Sequence, residues 1–195
     1  MTRGAVASPR ASLRATLVAV GAGVVAVVAG AGRPWATVSG AVDLPGVGAG
    51  RFGGARLTGN DLAPLSALAL LALVLVLGIA FTRGRGRWAV GAALAAAGAV
   101  LVLQAAVWAG RAGAEASERL RRGQLEGVAP AGARVETPLA GPVLAVAGGV
   151  LVAAAGLEVV RRGRDWPAMG AAFRAPPDRP GRVDPADGEP PWEGD

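Results

Sequence analysis

The sequence contains no cysteine, histidine, lysine or tyrosine. Without cysteine it has no disulfides, thiolate metal ligands or thiol nucleophiles. Without histidine and lysine it also lacks the usual general base, the commonest metal ligand and the Schiff-base amine. We therefore predict no catalytic residues, no cofactor site and no metal site, and we expect a protein that is not an enzyme.

The basic charge does not indicate a nucleic-acid partner. The net charge is +6 and the 20 basic residues are all arginine, but most of them flank long apolar runs. Basic residues interleaved with aromatic ones on one face, as in nucleic-acid readers, are missing. Arginine at the ends of apolar segments instead indicates membrane topology. The hydrophobic fraction of 52% and the mean hydropathy of +0.44 support this reading, because they come from four runs.

The clearest of these runs lies between Asp61 and Arg83 and contains no charge. As a helix it would cover about 30 Å, the hydrocarbon thickness of a bilayer. A lone segment in lipid must satisfy its own backbone hydrogen bonds, which only a helix does. The predicted spans are residues 15–32, 62–82, 88–110 and 137–157. For the first run a cleaved signal peptide is the alternative, but its length and the three later runs favour a retained span.

The predicted fold class is thus all-α: a polytopic, multi-pass cell-membrane protein with four transmembrane helices. A basic N-terminus, 1–14, precedes a transmembrane domain, 15–175. The acidic, proline-rich tail 176–195 has the composition of a disordered segment. Counting arginines near the spans gives ten on the N-terminal side and eight on the other. This thin margin, with the acid-free N-terminus and the short 83–87 linker, predicts both termini in the cytoplasm.

Two helix starts carry capping signals. Asp61 as N-cap would place Pro64 at the third helical position, where a missing amide hydrogen is harmless. Thr137 followed by proline is a good N-cap for the last span, although Pro142 would then require a later start or a kink.

The two long connections differ in character. Residues 33–60 are rich in glycine and proline, which favours a flexible loop over a short hairpin around Thr37. Residues 111–136 begin with acidic and basic residues four apart, which predicts a solvated helical extension of the third span. A helix that docks on a partner or on the membrane surface is the alternative for that segment.

Small residues recur every fourth position in three spans and predict close helix packing in lipid. They also suit a membrane homo-oligomer. These residues are Ala22, Ala26, Gly30, Gly91, Ala95, Ala99, Gly141, Ala145, Gly149 and Ala153. Gln104 is the one polar side chain deep in a span and is expected to form an interhelical hydrogen bond. Four tryptophans near span ends are predicted to lie at the membrane interfaces: Trp35, Trp88, Trp108 and Trp166.

Three short segments resemble a known family. They are R-P-W-A-T-V at 33–38, L-T-G-N-D-L-A-P at 57–64 and W-P-A-M-G at 166–170. Together they resemble the actinobacterial membrane proteins associated with tryptophan biosynthesis, over most of the chain. The resemblance implies a four-span protein encoded beside tryptophan-synthesis genes, with no established activity and no catalytic residues to carry over.

Two functional hypotheses follow. The first is a non-enzymatic membrane accessory protein whose loops or tail contact a cytosolic partner linked to tryptophan synthesis. The second is a small permease subunit for tryptophan, indole or a precursor. The spans contain no ionisable residue of the kind that coupled carriers place in the membrane, which favours the first.

Overall fold

The structure is a computed structural model that describes residues 9–40, 53–82, 85–125 and 132–163. The helices are α1 (Pro9–Ala31), α2 (Gly59–Leu62), α3 (Leu65–Phe81), α4 (Arg85–Arg121) and α5 (Ala140–Arg162). The strands are β1 (Pro34–Gly40), β2 (Gly53–Thr58) and β3 (Arg134–Glu136). The predicted disordered tail, 176–195, and most of the predicted basic N-terminus lie outside the described residues.

The four long helices form an antiparallel bundle. Helix α5 packs between α1 and α4, and α3 packs against both α4 and α1. We call the end where α1 begins and α5 ends the terminal end, and the opposite end, where the strands lie, the sheet end. Because the short 82–85 connection joins α3 to α4, these two helices form the antiparallel hairpin expected from the sequence.

The buried face of each helix follows a seven-residue repeat. On α4 the buried positions alternate between three and four residues apart: Arg87, Gly91, Leu94, Gly98, Leu101 and Ala105. Residues that recur on average every 3.5 positions stay on the helix face that contacts the neighbouring helix. Residues that recur every fourth position move around the helix by about 40° at each step. The helices therefore pack in the manner of a left-handed coiled coil with glycine and alanine at the contacts.

Helix α5 has glycines on two adjacent faces, one in contact with α1 and the other in contact with α4. A Cβ added to Gly148 would lie 2.5 Å from the carbonyl oxygen of Gly23 on α1. One added to Gly156 would lie 2.3 Å from the backbone nitrogen of Ala95 on α4. Both distances are shorter than any real Cβ contact, so only glycine fits at these positions. The backbones of α1, α5 and α4 are consequently in direct contact.

The outer surface of the bundle is apolar. Leucine, valine and phenylalanine side chains are exposed along all four long helices, and Phe81 on α3 is 84% exposed. Within the described residues, three helices are long and apolar enough to cross a membrane: Ser12–Ala31, Arg85–Arg121 and Ala140–Arg162. The apolar helix Leu65–Ile79 is shorter. Exposed apolar side chains on so many sides are stable in lipid but not in water.

The structure corrects the all-α prediction, since the chain is mostly helical but also contains a three-stranded sheet. Strand β1 is central and pairs antiparallel with β2 and with β3. The segment predicted as a flexible loop thus contains a hairpin, with Val38 opposite Ala55. Its glycines are tolerated because β1 packs on α4 and because its side chains Trp35, Ala36 and Val38 are buried.

Helix α4 continues well past the predicted end of its span at residue 110. Its 37 residues correspond to about 55 Å, which exceeds the hydrocarbon thickness. Glu115 pairs with Arg119 and Glu118 with Arg122, each at 2.8 Å, as their spacing predicted. The extension is not simply solvated, however, because Ala112, Ala116 and Leu120 on the face between these charges are buried.

Both predicted helix starts need correction. The span predicted as 62–82, with Asp61 as its N-cap, begins at Leu65, because Ala63, which precedes a proline, is extended and interrupts the helix after α2. Thr137 is likewise not an N-cap: α5 begins at Ala140 with Leu139 as N-cap. That start places Pro142 at the third helical position, where its missing amide hydrogen breaks no intrahelical bond.

Candidate functional site

Polar side chains collect at the two ends of the bundle, and three features there could serve a function. At the terminal end these are a groove between α1 and α5 and a buried arginine on α4. At the sheet end, the third feature is a tryptophan that contacts both the sheet and the helices.

The groove has a volume of about 520 Å³, within the range of small-molecule sites. Its walls are mostly alanine, with one leucine from α5. Its rim carries the polar groups. The lining residues are Ser12, Ala15, Thr16, Ala19, Leu151, Ala154, Ala155, Glu158 and Arg162. Arg162 donates to Glu158 at 2.9 Å across one turn of α5, so the rim holds an ion pair.

The buried arginine is Arg87, whose residue is only 6% exposed. Its Nη1 donates a hydrogen bond of 2.8 Å to the carbonyl oxygen of Gly163, the residue that ends α5. The guanidinium therefore supplies a positive charge at the C-terminus of α5, where the helix dipole is negative. From the sequence alone, Arg87 belongs to the arginine-rich linker 83–87. Its place four residues before Gly91 in the seven-residue repeat was the signal for burial.

The joining residue is Trp35, which packs inside the protein. Its predicted position at the membrane interface stays a prediction. Its side chain is 1% exposed and Nε1 donates to the carbonyl oxygen of Gly30 at 2.9 Å. Its ring lies so close to Gly59 and Gly141 that a Cβ on either would come within 2.8 Å of it. Trp35 thus joins β1 to the C-terminal end of α1 and to the starts of α2 and α5.

Asp61 stabilises the sheet end in a different way from the one predicted. It lies in the first turn of α2 and its Oδ2 accepts from the backbone nitrogen of Thr58 at 2.7 Å and from its hydroxyl at 2.8 Å. These bonds, with the positive charge of Arg119, hold the pKa of Asp61 below its usual value, against the opposing effect of burial. At the start of α3, where Pro64 is the N-cap, the Oδ1 of Asn60 accepts a hydrogen bond from the backbone nitrogen of Ser66.

The predicted packing residues divide into two groups. Gly30, Gly91, Gly141, Ala145 and Gly149 are buried, and Ala95 and Ala153 are half-buried against each other's helix. Ala22 and Ala99 are exposed, so these two are corrections, whereas Ala26 is half-buried. Residues spaced four apart turn away from the contact face of the helix after one or two steps. The contacts in their place come from Gly23 and Gly98.

The other predicted residues keep their status as predictions. Gln104 is half-buried midway along α4, between Leu101 and Ala105. On the same helix Trp88 is 50% exposed and Trp108 packs partly against the core. Trp166 lies outside the described residues. In the part of the chain that the structure describes, no three acidic residues come together to hold a metal ion.

The apolar outer surface, the spanning helices and the glycine-packed bundle define a helical membrane protein with a small sheet at one end. A sequence model of the tryptophan-associated transmembrane protein family matches residues 15–193, and the chain belongs to this family. The resemblance noted in the sequence is thereby confirmed. Neither a curated protein nor a solved structure matches the chain.

Proposed function

We propose that the protein is a non-enzymatic accessory protein of the cell membrane that serves tryptophan biosynthesis by contacting a cytosolic partner. The family description supports the link to tryptophan. The observation that favours an accessory role over a carrier is the backbone contact on both sides of α5. A Cβ on Gly148 or Gly156 would meet the neighbouring backbone within 2.5 Å, so α5 leaves no room for a substrate as large as indole where it crosses α1 at Gly148 and α4 at Gly156.

The proposed topology is multi-pass, with four spans and both termini in the cytoplasm. Helix α3 is only 17 residues long, about 25 Å. It nevertheless runs antiparallel beside α1 and α4 and returns the chain from the sheet end to the terminal end. If α1 and α4 both cross the bilayer, α3 must cross it too. The terminal end then faces the cytoplasm with its arginines.

Because the chain has no cysteine, single introduced cysteines test this topology without background. We expect Gln124→Cys, at the sheet end, to react with a membrane-impermeant maleimide in intact cells. We expect Arg85→Cys, an equally exposed position at the terminal end, to react only after lysis. Labelling of both positions from the same side would contradict the four-span arrangement.

The partner hypothesis is tested by affinity purification of the full chain from membranes, compared with a chain lacking 176–195. We expect the full chain to recover a protein of tryptophan synthesis and the shortened chain to lose it. Recovery of the same proteins by both chains would contradict a contact through the tail. Uptake or efflux of tryptophan or indole that changes on deletion of the gene would instead support the permease hypothesis.

A further inference from the structure

The groove between α1 and α5 has a gradient of polarity along its length. Its bed is formed by alanine side chains from both helices, and Leu151 lies toward the middle of the bundle. Its other end carries Ser12, Glu158 and Arg162. Thr16, also in the lining, turns its hydroxyl back to the carbonyl oxygen of Ser12, so it adds little polarity to the bed. An elongated amphipathic molecule matches this gradient.

The polar end of the groove is positively charged. Arg162 uses one nitrogen for Glu158, and its side chain is 59% exposed, so further guanidinium donors face outward. Arg14 and Arg161 are exposed at the same end of the bundle. Among the described residues, Glu158 is the only acid at this end. The charge therefore favours an anionic group, and guanidinium is well suited to bind phosphate.

The groove opens toward lipid. Leu151, in its lining, is 41% exposed, and Ala15 and Ala154, also in the lining, are exposed to the apolar surroundings of the bundle. A molecule can therefore enter it laterally from the bilayer. Basic pockets between helices at a cytoplasmic surface are known to bind anionic lipid headgroups.

We propose that this groove binds one anionic phospholipid, with its phosphate at Arg162 and an acyl chain along the alanine bed. The site is independent of the proposed function, since a lipid can anchor the terminal end whether or not a partner binds there. Removal of one arginine near a lipid headgroup weakens binding about fivefold.

The test is native mass spectrometry of the full chain in a neutral detergent, titrated with phosphatidylglycerol or with phosphatidylcholine of the same acyl chains. We expect one phosphatidylglycerol to bind several-fold more tightly than phosphatidylcholine. Arg162→Gln should weaken phosphatidylglycerol binding about fivefold. Glu158→Gln should strengthen it, because the competing carboxylate is removed. Arg161→Gln removes the same charge from a position that does not line the groove and should weaken binding clearly less than Arg162→Gln does.

A second pair of variants tests the bed. Ala154→Leu fills the groove at an exposed position and should weaken binding of both lipids. Ala96→Leu adds the same side chain at an exposed position of α4, a helix that does not line the groove, and should have no effect. Equal binding of the two lipids, or equal effects of Arg161→Gln and Arg162→Gln, would overturn the proposal. So would a dimer that only Ala154→Leu dissociates, because a second copy would then occupy the groove.

Discussion

Replacing Gly156 with alanine tests the backbone contact between α4 and α5. The added methyl group would lie 2.3 Å from the nitrogen and 2.7 Å from the Cα of Ala95, and 2.9 Å from the carbonyl oxygen of Gly91. All three atoms belong to the backbone of α4, so no side chain can rotate away. The helices must separate by about 1 Å or more to restore ordinary van der Waals contact.

The expected change in the free energy of unfolding is the balance of two opposing effects. Overpacking typically destabilises a core by about 1–3 kcal/mol, and contact with backbone places Gly156→Ala near the upper value. Alanine favours a helix over glycine by about 1 kcal/mol, which acts in the opposite direction. The net loss is about 2 kcal/mol. For a chain of this size that corresponds to an apparent melting temperature lower by about 4–8 °C.

Gly110→Ala is the matched control. Gly110 lies on α4, and a Cβ there would meet nothing within 4 Å. Helix propensity alone should act at this position and raise the melting temperature by about 2–4 °C. Thermal unfolding of both variants in the same detergent, followed by size-exclusion elution after heating, measures the two shifts. If Gly156→Ala stabilised the protein as much as Gly110→Ala, the close contact of α4 and α5 would be refuted.

Three further predictions concern the two ends of the bundle. Trp35→Ala should destabilise the protein by about 3–5 kcal/mol and loosen the sheet, measured as faster protease cleavage at the sheet end. Lowering the pH should weaken the sheet end as the pH falls below the usual aspartate pKa of about 3.9, because ionised Asp61 has a lowered pKa in the folded state. Asp61→Asn should abolish that part of the pH dependence of thermal unfolding. Arg87→Met should cost about 1–3 kcal/mol, because the Gly163 carbonyl loses a donor, whereas Arg85→Gln at an exposed position should change the melting temperature little.

The long helices were accessible from the sequence because apolar length determines them. Helix α4 contains the predicted span 88–110, and α1 and α5 cover most of the predicted spans 15–32 and 137–157, since α1 ends at Ala31 and α5 begins at Ala140. Their antiparallel order follows from the connections. The contact face was predicted less well, because the composition offers glycine or alanine at almost every spacing. Only the mutual geometry of the helices selects the 3.5-residue stripe through Gly98 over the four-residue stripe through Ala99.

The sheet was missed for a physical reason. Strand β1 is short and contains proline and glycine, and by local propensity it reads as a loop. Its stability comes from tertiary contacts, since the extension of α4 covers it and Trp35 fixes one end. The same is true of Arg87, whose burial depends on meeting the end of α5, 76 residues away in the sequence. Long-range partners of this kind leave little trace in a local pattern.

The continuity of α4 gives the molecule a mechanical property. One unbroken rod runs from the Arg87 contact at the terminal end to Arg119, which donates to the backbone of Asp61 at the sheet end. A slide of α4 by a single residue, about 1.5 Å, would strain both attachments at once. The rod thus ties the sheet to the point where the chain leaves α5, and the backbone contacts of α4 with α5 between the two attachments oppose the same slide.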